Sequence, residues 1–166
     1  MRYNPATAPY VYPAPATQQD LDARCRRAVA STVIDGGVTI NPFTGQEPLL
    51  GYVVAKYRNN SEHSMQVSHT SLCTAVVRHY VDINEPTLKE PRAYLGLWHN
   101  TDDDMVYLDI VSVYEKLGDA LAEARRLDQK AIYCLHSQEE LAVEPTLKLE
   151  GGMVEGSPDW FGESQR

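Results

Sequence analysis

Residues 94–136 read YLGLWHNTDDDMVYLDIVSVYEKLGDALAEARRLDQKAIYCLH, and this stretch decides the fold because it carries the strongest pattern in the chain. Two β-prone runs, residues 95–98 and 105–111, flank the polar segment 99–104, whose aspartates favour a turn over burial. The two runs therefore predict a β-hairpin. Alternation in the second run separates Asp109 from its apolar neighbours, so we expect its side chain to point away from the main core.

A helix is predicted directly after this hairpin. Ser112 and Glu115 have the spacing of a capping box, in which the serine accepts from a free backbone N–H and the glutamate reaches back to the cap. Apolar side chains then recur at helical spacing, at Leu117, Ala120, Leu121, Ala124 and Leu127. The β-prone run 131–135 follows, so strand, helix and strand predict a βαβ unit with parallel strands and a right-handed crossover.

The first half of the chain has similar signals. Residues 18–33 predict a helix that the glycines at 36 and 37 terminate. The β-prone runs 38–40 and 51–57, joined by a segment with two prolines, predict a hairpin. A further helix, capped by Ser68 or Ser71, is expected to end before Pro86. It carries Leu72, Ala75, Val76, His79 and Tyr80.

These elements predict an α+β fold for residues 18–145. We expect a two-layer sandwich in which a mixed, mostly antiparallel sheet of about five strands packs against about three helices, in the order αββαββαβ. Residues 1–17, with four prolines and three tyrosines, predict an extended arm. Residues 146–166 predict a Gly-rich, acidic tail that carries Trp160 and Phe161.

Composition narrows the classes of function. At 166 residues the chain suits one domain, and its net charge of −8 argues against binding to nucleic-acid phosphates. Three widely spaced cysteines without a CxxC pair indicate reduced thiols inside a cell. No run approaches the ~20 apolar residues of a membrane span. We therefore expect a soluble, cytoplasmic protein that binds neither nucleic acid nor membrane.

Two groups of residues have the composition of a chemical site. His99 with Asp102, Asp103 and Asp104 could hold a hard cation at the hairpin tip, although aspartates also simply favour turns and solvation. Cys134 and His136 would share a strand face and could form a reactive pair, although a cysteine among apolar neighbours is usually a core residue. No nucleotide-binding or hydrolase motif occurs. The sequence thus assigns no catalytic residue, cofactor site or metal site.

Several blocks of this chain resemble small, uncharacterised accessory proteins of actinobacterial bacteriophages and prophages. The blocks are residues 10–17 (YVYPAPAT), 36–45 (GGVTINPFTG), 51–54 (GYVV) and the later LGLW, VYLD and QKAIY runs. The resemblance implies a phage or prophage setting and an intracellular product. It implies no activity and no catalytic residue.

The absence of a chemical motif and the aromatic termini together predict a non-enzymatic protein-interaction module that binds a host or viral protein. Tyr10 and Tyr12 in the arm and Trp160 and Phe161 in the tail are the predicted partner-binding residues. An exposed sheet edge is a second possible recognition element. The alternatives are a structural component of a virion, an acidic mimic of DNA, and a small metal-dependent or Cys/His enzyme.

Overall fold

The computed structural model describes residues 15–57 and 61–144, which form one seven-stranded sheet and four α-helices. The helices are α1 (Gln18–Asp35), α2 (Thr74–Ile83), α3 (Glu85–Leu88) and α4 (Leu117–Arg126). The strands are β1 (Gly37–Ile40), β2 (Tyr52–Ala55), β3 (Met65–Ser68), β4 (Ala93–Asn100), β5 (Met105–Tyr114), β6 (Ala131–Cys134) and β7 (Glu139–Ala142). Among these residues, no helix has the length and apolarity to span a membrane.

The long strand β5 organises the sheet, whose strand order is β1-β4-β5-β2-β6-β7. On one side β5 pairs with β4 over its first eight residues. On its other side β3 pairs with residues 105–108 and β2 with residues 111–114, so these two short strands lie end to end along β5. Every one of these pairs is antiparallel.

All four helices pack on the same face of the sheet. Directly opposed residues of an antiparallel pair point to the same side, so the register assigns each strand residue to one of two faces. The first core lies under α1, α2 and α3 and contains Cys25, Val77, Leu88, Leu95 and Leu108. A second, smaller core lies under α4 and contains Val54, Ala120, Ala124 and Ile132. Both cores belong to the face that carries the even-numbered residues of β5.

The α+β class, the hairpin formed by β4 and β5, and the first helix agree with the sequence predictions. The first helix extends two residues beyond the predicted end, to Asp35. Its cap is Thr17, whose side chain accepts from the backbone N–H of Asp20, while the Asp20 carboxylate accepts from the Thr17 N–H. Gly36, with φ of 85°, closes the helix in the left-handed conformation that glycine adopts easily.

The predicted counts of about five strands and three helices were too low. The sheet gains β3 and β7, and the short helix α3 follows α2. The predicted hairpin of residues 38–40 with 51–57 is wrong. β1 pairs with β4 instead, and β2 lies between β5 and β6. The eleven residues between β1 and β2 are long enough to let each strand find a partner that is distant in sequence.

The predicted capping box at Ser112 is also wrong. Ser112 lies inside β5, opposite Ala93 on one side and Val54 on the other, and helix α4 begins only at Leu117. Two flanking strands complete the backbone hydrogen bonding of this residue, which removes any need for a local cap. The predicted βαβ unit is split: β5 and β6 run in the same direction, but β2 lies between them.

Helix α2 begins later than predicted. Its cap is Cys73, whereas Ser68 belongs to β3 and Ser71 to a 3₁₀ turn of residues 69–71. Its end at Ile83 agrees with the prediction. The helix buries Val77, Tyr80 and Val81 and leaves Ala75 and His79 exposed.

Candidate functional site

The second face of the sheet is covered by no helix of the described residues, and we call it the open face. It carries the odd-numbered residues of β5 and their cross-strand neighbours. Its main side chains, as the register assigns them, are Val53, Tyr94, Trp98, Tyr107, Asp109, Val111, Val113 and Tyr133. An antiparallel sheet often leaves one face in water, but that face is then usually polar. The open face is instead largely aromatic and aliphatic.

Trp98 is the most prominent side chain of the open face, with 49% of its surface exposed. Its indole packs against the ring of Tyr107 with centroids 5.7 Å apart. On its other side Trp98 is paired with Gly37, and Gly96 lies two residues before it on the same face. Because the two glycines present no side chain, the indole stands above its surroundings.

The hairpin tip holds Tyr107 in place. The phenolic hydroxyl donates to Asp103 Oδ2 over 2.6 Å, while Asp103 Oδ1 accepts from the backbone N–H of Met105 over 3.0 Å. The hydrogen bond to Asp103 raises the pKa of Tyr107. This aspartate therefore has a structural role on the open face and fixes one side of the Trp98–Tyr107 pair.

The centre of the open face is more enclosed than its ends. Val111 is only 6% exposed, although no described helix lies above it. Asp109 lies beside it, and Ser64 Oγ donates to Asp109 Oδ1 over 2.7 Å. Burial raises the pKa of this carboxyl group. Asp109 thus faces away from both cores, as the alternation predicts.

The charged strand residues of the open face are all negative. Its strand residues include the carboxylates of Asp109 and Glu140 but no lysine, arginine or histidine. Tyr133, which is 39% exposed, extends the aromatic surface to β6 beside Val53. The face therefore combines an apolar, aromatic surface with negative charge.

A second group of side chains lies at the hairpin tip, on the helix-covered side of the sheet. His69, His99 and Asp104 each offer a ligand atom within 4.8 Å of the other two. His99 Nε2 lies 2.9 Å from Asp104 Oδ1, and His69 Nδ1 lies 3.9 Å from the same oxygen. The two imidazole rings are stacked, with centroids 4.1 Å apart and an interplanar angle of 11°.

The structure changes the membership of the predicted cation cluster. His99 and Asp104 are brought together, but Asp103 faces the open side and Asp102 is exposed. His69, which the sequence reasoning missed as a member, takes their place. Its position follows from the pairing of β3 with β5, since the His69 N–H donates to the carbonyl oxygen of Asp104 over 3.0 Å.

The predicted thiol–imidazole pair does not form. Cys134 ends β6 with its side chain buried, while His136 lies in the following turn and is exposed. The hydroxyl and backbone N–H of Ser137 hydrogen-bond to the sulfur and lower the pKa of the Cys134 thiol. The backbone N–H of His136 also hydrogen-bonds to the sulfur, so the contacts of the thiol come from Ser137 and from the backbone of His136. The predicted partner-binding residues Tyr10, Tyr12, Trp160 and Phe161 lie outside the described residues.

A groove of about 280 Å³ lies where α1 and α2 approach the start of the described chain. Arg78 and Lys89 line it together with Asp82 and Glu85, so its charges balance. It contains neither the hairpin-tip group nor Cys134. The candidate enzymatic residues of the sequence are thus not gathered in this groove.

Comparison with known proteins adds no assignment to this geometry. No family model matches the chain, and neither the curated proteins nor the solved structures include a significant match.

Proposed function

We propose that this protein is a non-enzymatic interaction module that binds a partner protein through the open face of its sheet. The observation that carries the proposal is the uncovered aromatic surface around Trp98. Large contiguous apolar surfaces are rare on soluble proteins unless they bind something. Tryptophan and tyrosine are also the residues most enriched at the energetic centres of protein interfaces.

The dimensions of the open face suit a protein partner. With strands about 4.8 Å apart, the outermost strands of a six-strand row lie about 24 Å apart. A strand of ten residues such as β5 is about 33 Å long. The face therefore offers at most about 800 Å², which is close to what each partner contributes to an interface of ordinary size.

Charge favours a partner with basic groups around an apolar centre. Among the described strand residues, the open face carries carboxylates and no basic side chain, and the whole chain has a net charge of −8. A second copy of the same acidic chain would bring like charges together, which disfavours a homodimer through this face. We therefore expect a monomer in light scattering, and a dimer that Trp98→Ala dissolves would contradict this part of the proposal.

The setting of the interaction is also part of the proposal. The resemblance to accessory proteins of actinobacterial phages supports a phage-encoded or prophage-encoded protein that binds a host or viral protein. The cysteines at 25, 73 and 134 are free thiols, which is typical of a reducing compartment and supports a place in the host cytoplasm. Tyr10, Tyr12, Trp160 and Phe161 are proposed as additional contacts to the same partner.

The test compares affinity capture from an actinobacterial lysate by the full-length chain and three variants. Trp98→Ala removes the most exposed aromatic side chain of the open face, and Ile34→Ala removes a 79% exposed apolar side chain on α1. The third variant lacks residues 1–14 and 146–166. We expect Trp98→Ala to lose about 2 kcal/mol of binding free energy, which is roughly thirtyfold in affinity. Ile34→Ala should retain the partner.

The three variants distinguish binding through the open face from binding through the terminal segments. If Trp98→Ala retains the same proteins as the unmodified chain, the open face is not the binding surface. If only the truncated variant loses the partner, recognition belongs to the terminal segments, and the proposal fails for the sheet. Loss with Trp98→Ala but not with Ile34→Ala supports the open face.

A further inference from the structure

We propose that His69, His99 and Asp104 form a binding site for one first-row divalent transition-metal cation, for which Zn²⁺ is the probe. This site is independent of the open face and of any protein partner. The sheet brings the three residues together, and each offers a ligand atom within 4.8 Å of the other two.

Three separate segments converge to make the group. Ser68 ends β3 opposite Met105, so the next residue, His69, lies beside Asp104. His99 is opposite Val106 on the helix-covered face, and its ring reaches back to the Asp104 carboxylate. The group is therefore held by two strand pairs of the sheet, which gives it a more rigid support than a single loop would give.

The distances fit a shared cation. Zinc bound at about 2.0–2.1 Å by tetrahedral ligands holds those ligand atoms about 3.3 Å apart. The two measured separations from Asp104 Oδ1, 2.9 Å to His99 Nε2 and 3.9 Å to His69 Nδ1, lie on either side of that value. The three ligand atoms lie within 4.8 Å of one another, and the two stacked rings must rotate apart for both nitrogens to point at one ion.

The donor set selects the class of metal. Two imidazoles and one carboxylate suit zinc and similar first-row ions, whereas calcium and magnesium prefer oxygen ligands throughout. Three protein ligands leave a fourth position for water. The Asp104 side chain is 65% exposed, so solvent and ions reach the group directly.

A purely structural role explains only part of the group. The hydrogen bond between His99 Nε2 and Asp104 Oδ1 accounts for those two residues. It does not account for His69, whose Nδ1 atom lies 3.9 Å from Asp104 Oδ1, beyond hydrogen-bond distance. A cation bound in the plane of the His69 ring would give Nδ1 a partner.

The experiment is a calorimetric titration of the full chain, carrying no polyhistidine tag, with ZnCl₂ at pH 7.5. We expect one Zn²⁺ per chain, and we expect His69→Ala and Asp104→Asn each to weaken the dissociation constant by at least about tenfold. Asparagine suits the left-handed backbone at position 104, where φ is 55°, so Asp104→Asn keeps the turn. His79→Ala and Asp102→Asn are matched controls, because both residues are exposed and lie outside the group.

Two further readouts distinguish a built site from adventitious binding. Free Zn²⁺ at a hundredfold excess over the dissociation constant should raise the melting temperature by roughly 5–10 °C, and this rise should be absent in His69→Ala. Binding should weaken at pH 5.5, where protons compete for the imidazoles. The proposal is overturned if no Zn²⁺ binds below millimolar concentration, if His69→Ala and Asp104→Asn bind as the unmodified chain does, or if both control variants lose as much affinity.

Discussion

Replacing Gly51 by alanine should destabilise this protein strongly. Gly51 precedes β2 with φ of 114°, a backbone conformation that side chains with a Cβ rarely adopt. A Cβ at this position would lie 2.8 Å from the carbonyl oxygen of Tyr114 and 2.9 Å from Cγ1 of Val113. The carbonyl of Gly51 also accepts from the backbone N–H of Leu135, so the residue touches both strands that flank β2.

Two costs contribute to the expected loss of stability. A residue forced into a sparsely populated backbone region costs of order 1–3 kcal/mol. An added methyl group without room costs about 1–3 kcal/mol in displaced neighbours. The free energy of unfolding should therefore fall by about 2–6 kcal/mol, which lowers the melting temperature by roughly 5–20 °C in a chain of this size.

The same chemical change at Gly118 is the matched control. Gly118 lies in the first turn of α4, and a Cβ there would meet no atom within 4 Å. Alanine is favoured over glycine in a helix, so Gly118→Ala should stabilise the protein by up to about 1 kcal/mol. Urea unfolding followed by circular dichroism measures both variants. Equal midpoints for Gly51→Ala and the unmodified chain would refute the packing described at the β2 junction.

Three further predictions concern single side chains. Asp109→Asn should raise the melting temperature at pH 7, because burial raises the pKa of the Asp109 carboxyl in the folded state. A carboxyl whose pKa is raised by folding contributes stability below its unfolded pKa, and this contribution is lost as the pH rises through the folded pKa. Thermal scans should therefore show the melting-temperature advantage of Asp109→Asn shrinking towards pH 3. Native titration with a thiol reagent at pH 8 should label the exposed Cys73 rapidly and Cys25 only as fast as the protein unfolds, since burial raises the pKa of the Cys25 thiol to about 11; rapid labelling of both would contradict the core. Thr17→Ala should lower the free energy of unfolding by about 0.5–2 kcal/mol through loss of the α1 cap, and an unchanged urea midpoint would contradict that role.

The open face and the hairpin-tip group differ in how many of their residues could be predicted from the sequence. Alternation in residues 105–111 assigned Tyr107 and Asp109 to the face opposite the core, so two residues of the open face were implicit in the sequence. It did not show that this face lacks a helix, because that depends on where all four helices pack. The hairpin-tip group was found in part, through His99 and Asp104. His69 was missed because residues 65–68 carry no strong strand pattern, and only their pairing with β5 places His69 beside Asp104.

The order of residues within short stretches of sequence determined which segments become helices and strands. Alternation of period two at β5, helical spacing in α1 and α4, and the proline after α2 depend on residues within a few positions of each other, so the sequence alone carries them. Strand partners were decided only by the tertiary structure. β1 pairs with β4 and not with β2, Ser112 belongs to β5 and not to a helix cap, and β2 lies between β5 and β6. These choices depend on backbone hydrogen bonds and apolar contacts between segments tens of residues apart, and no local pattern records which distant strand offers the better partner.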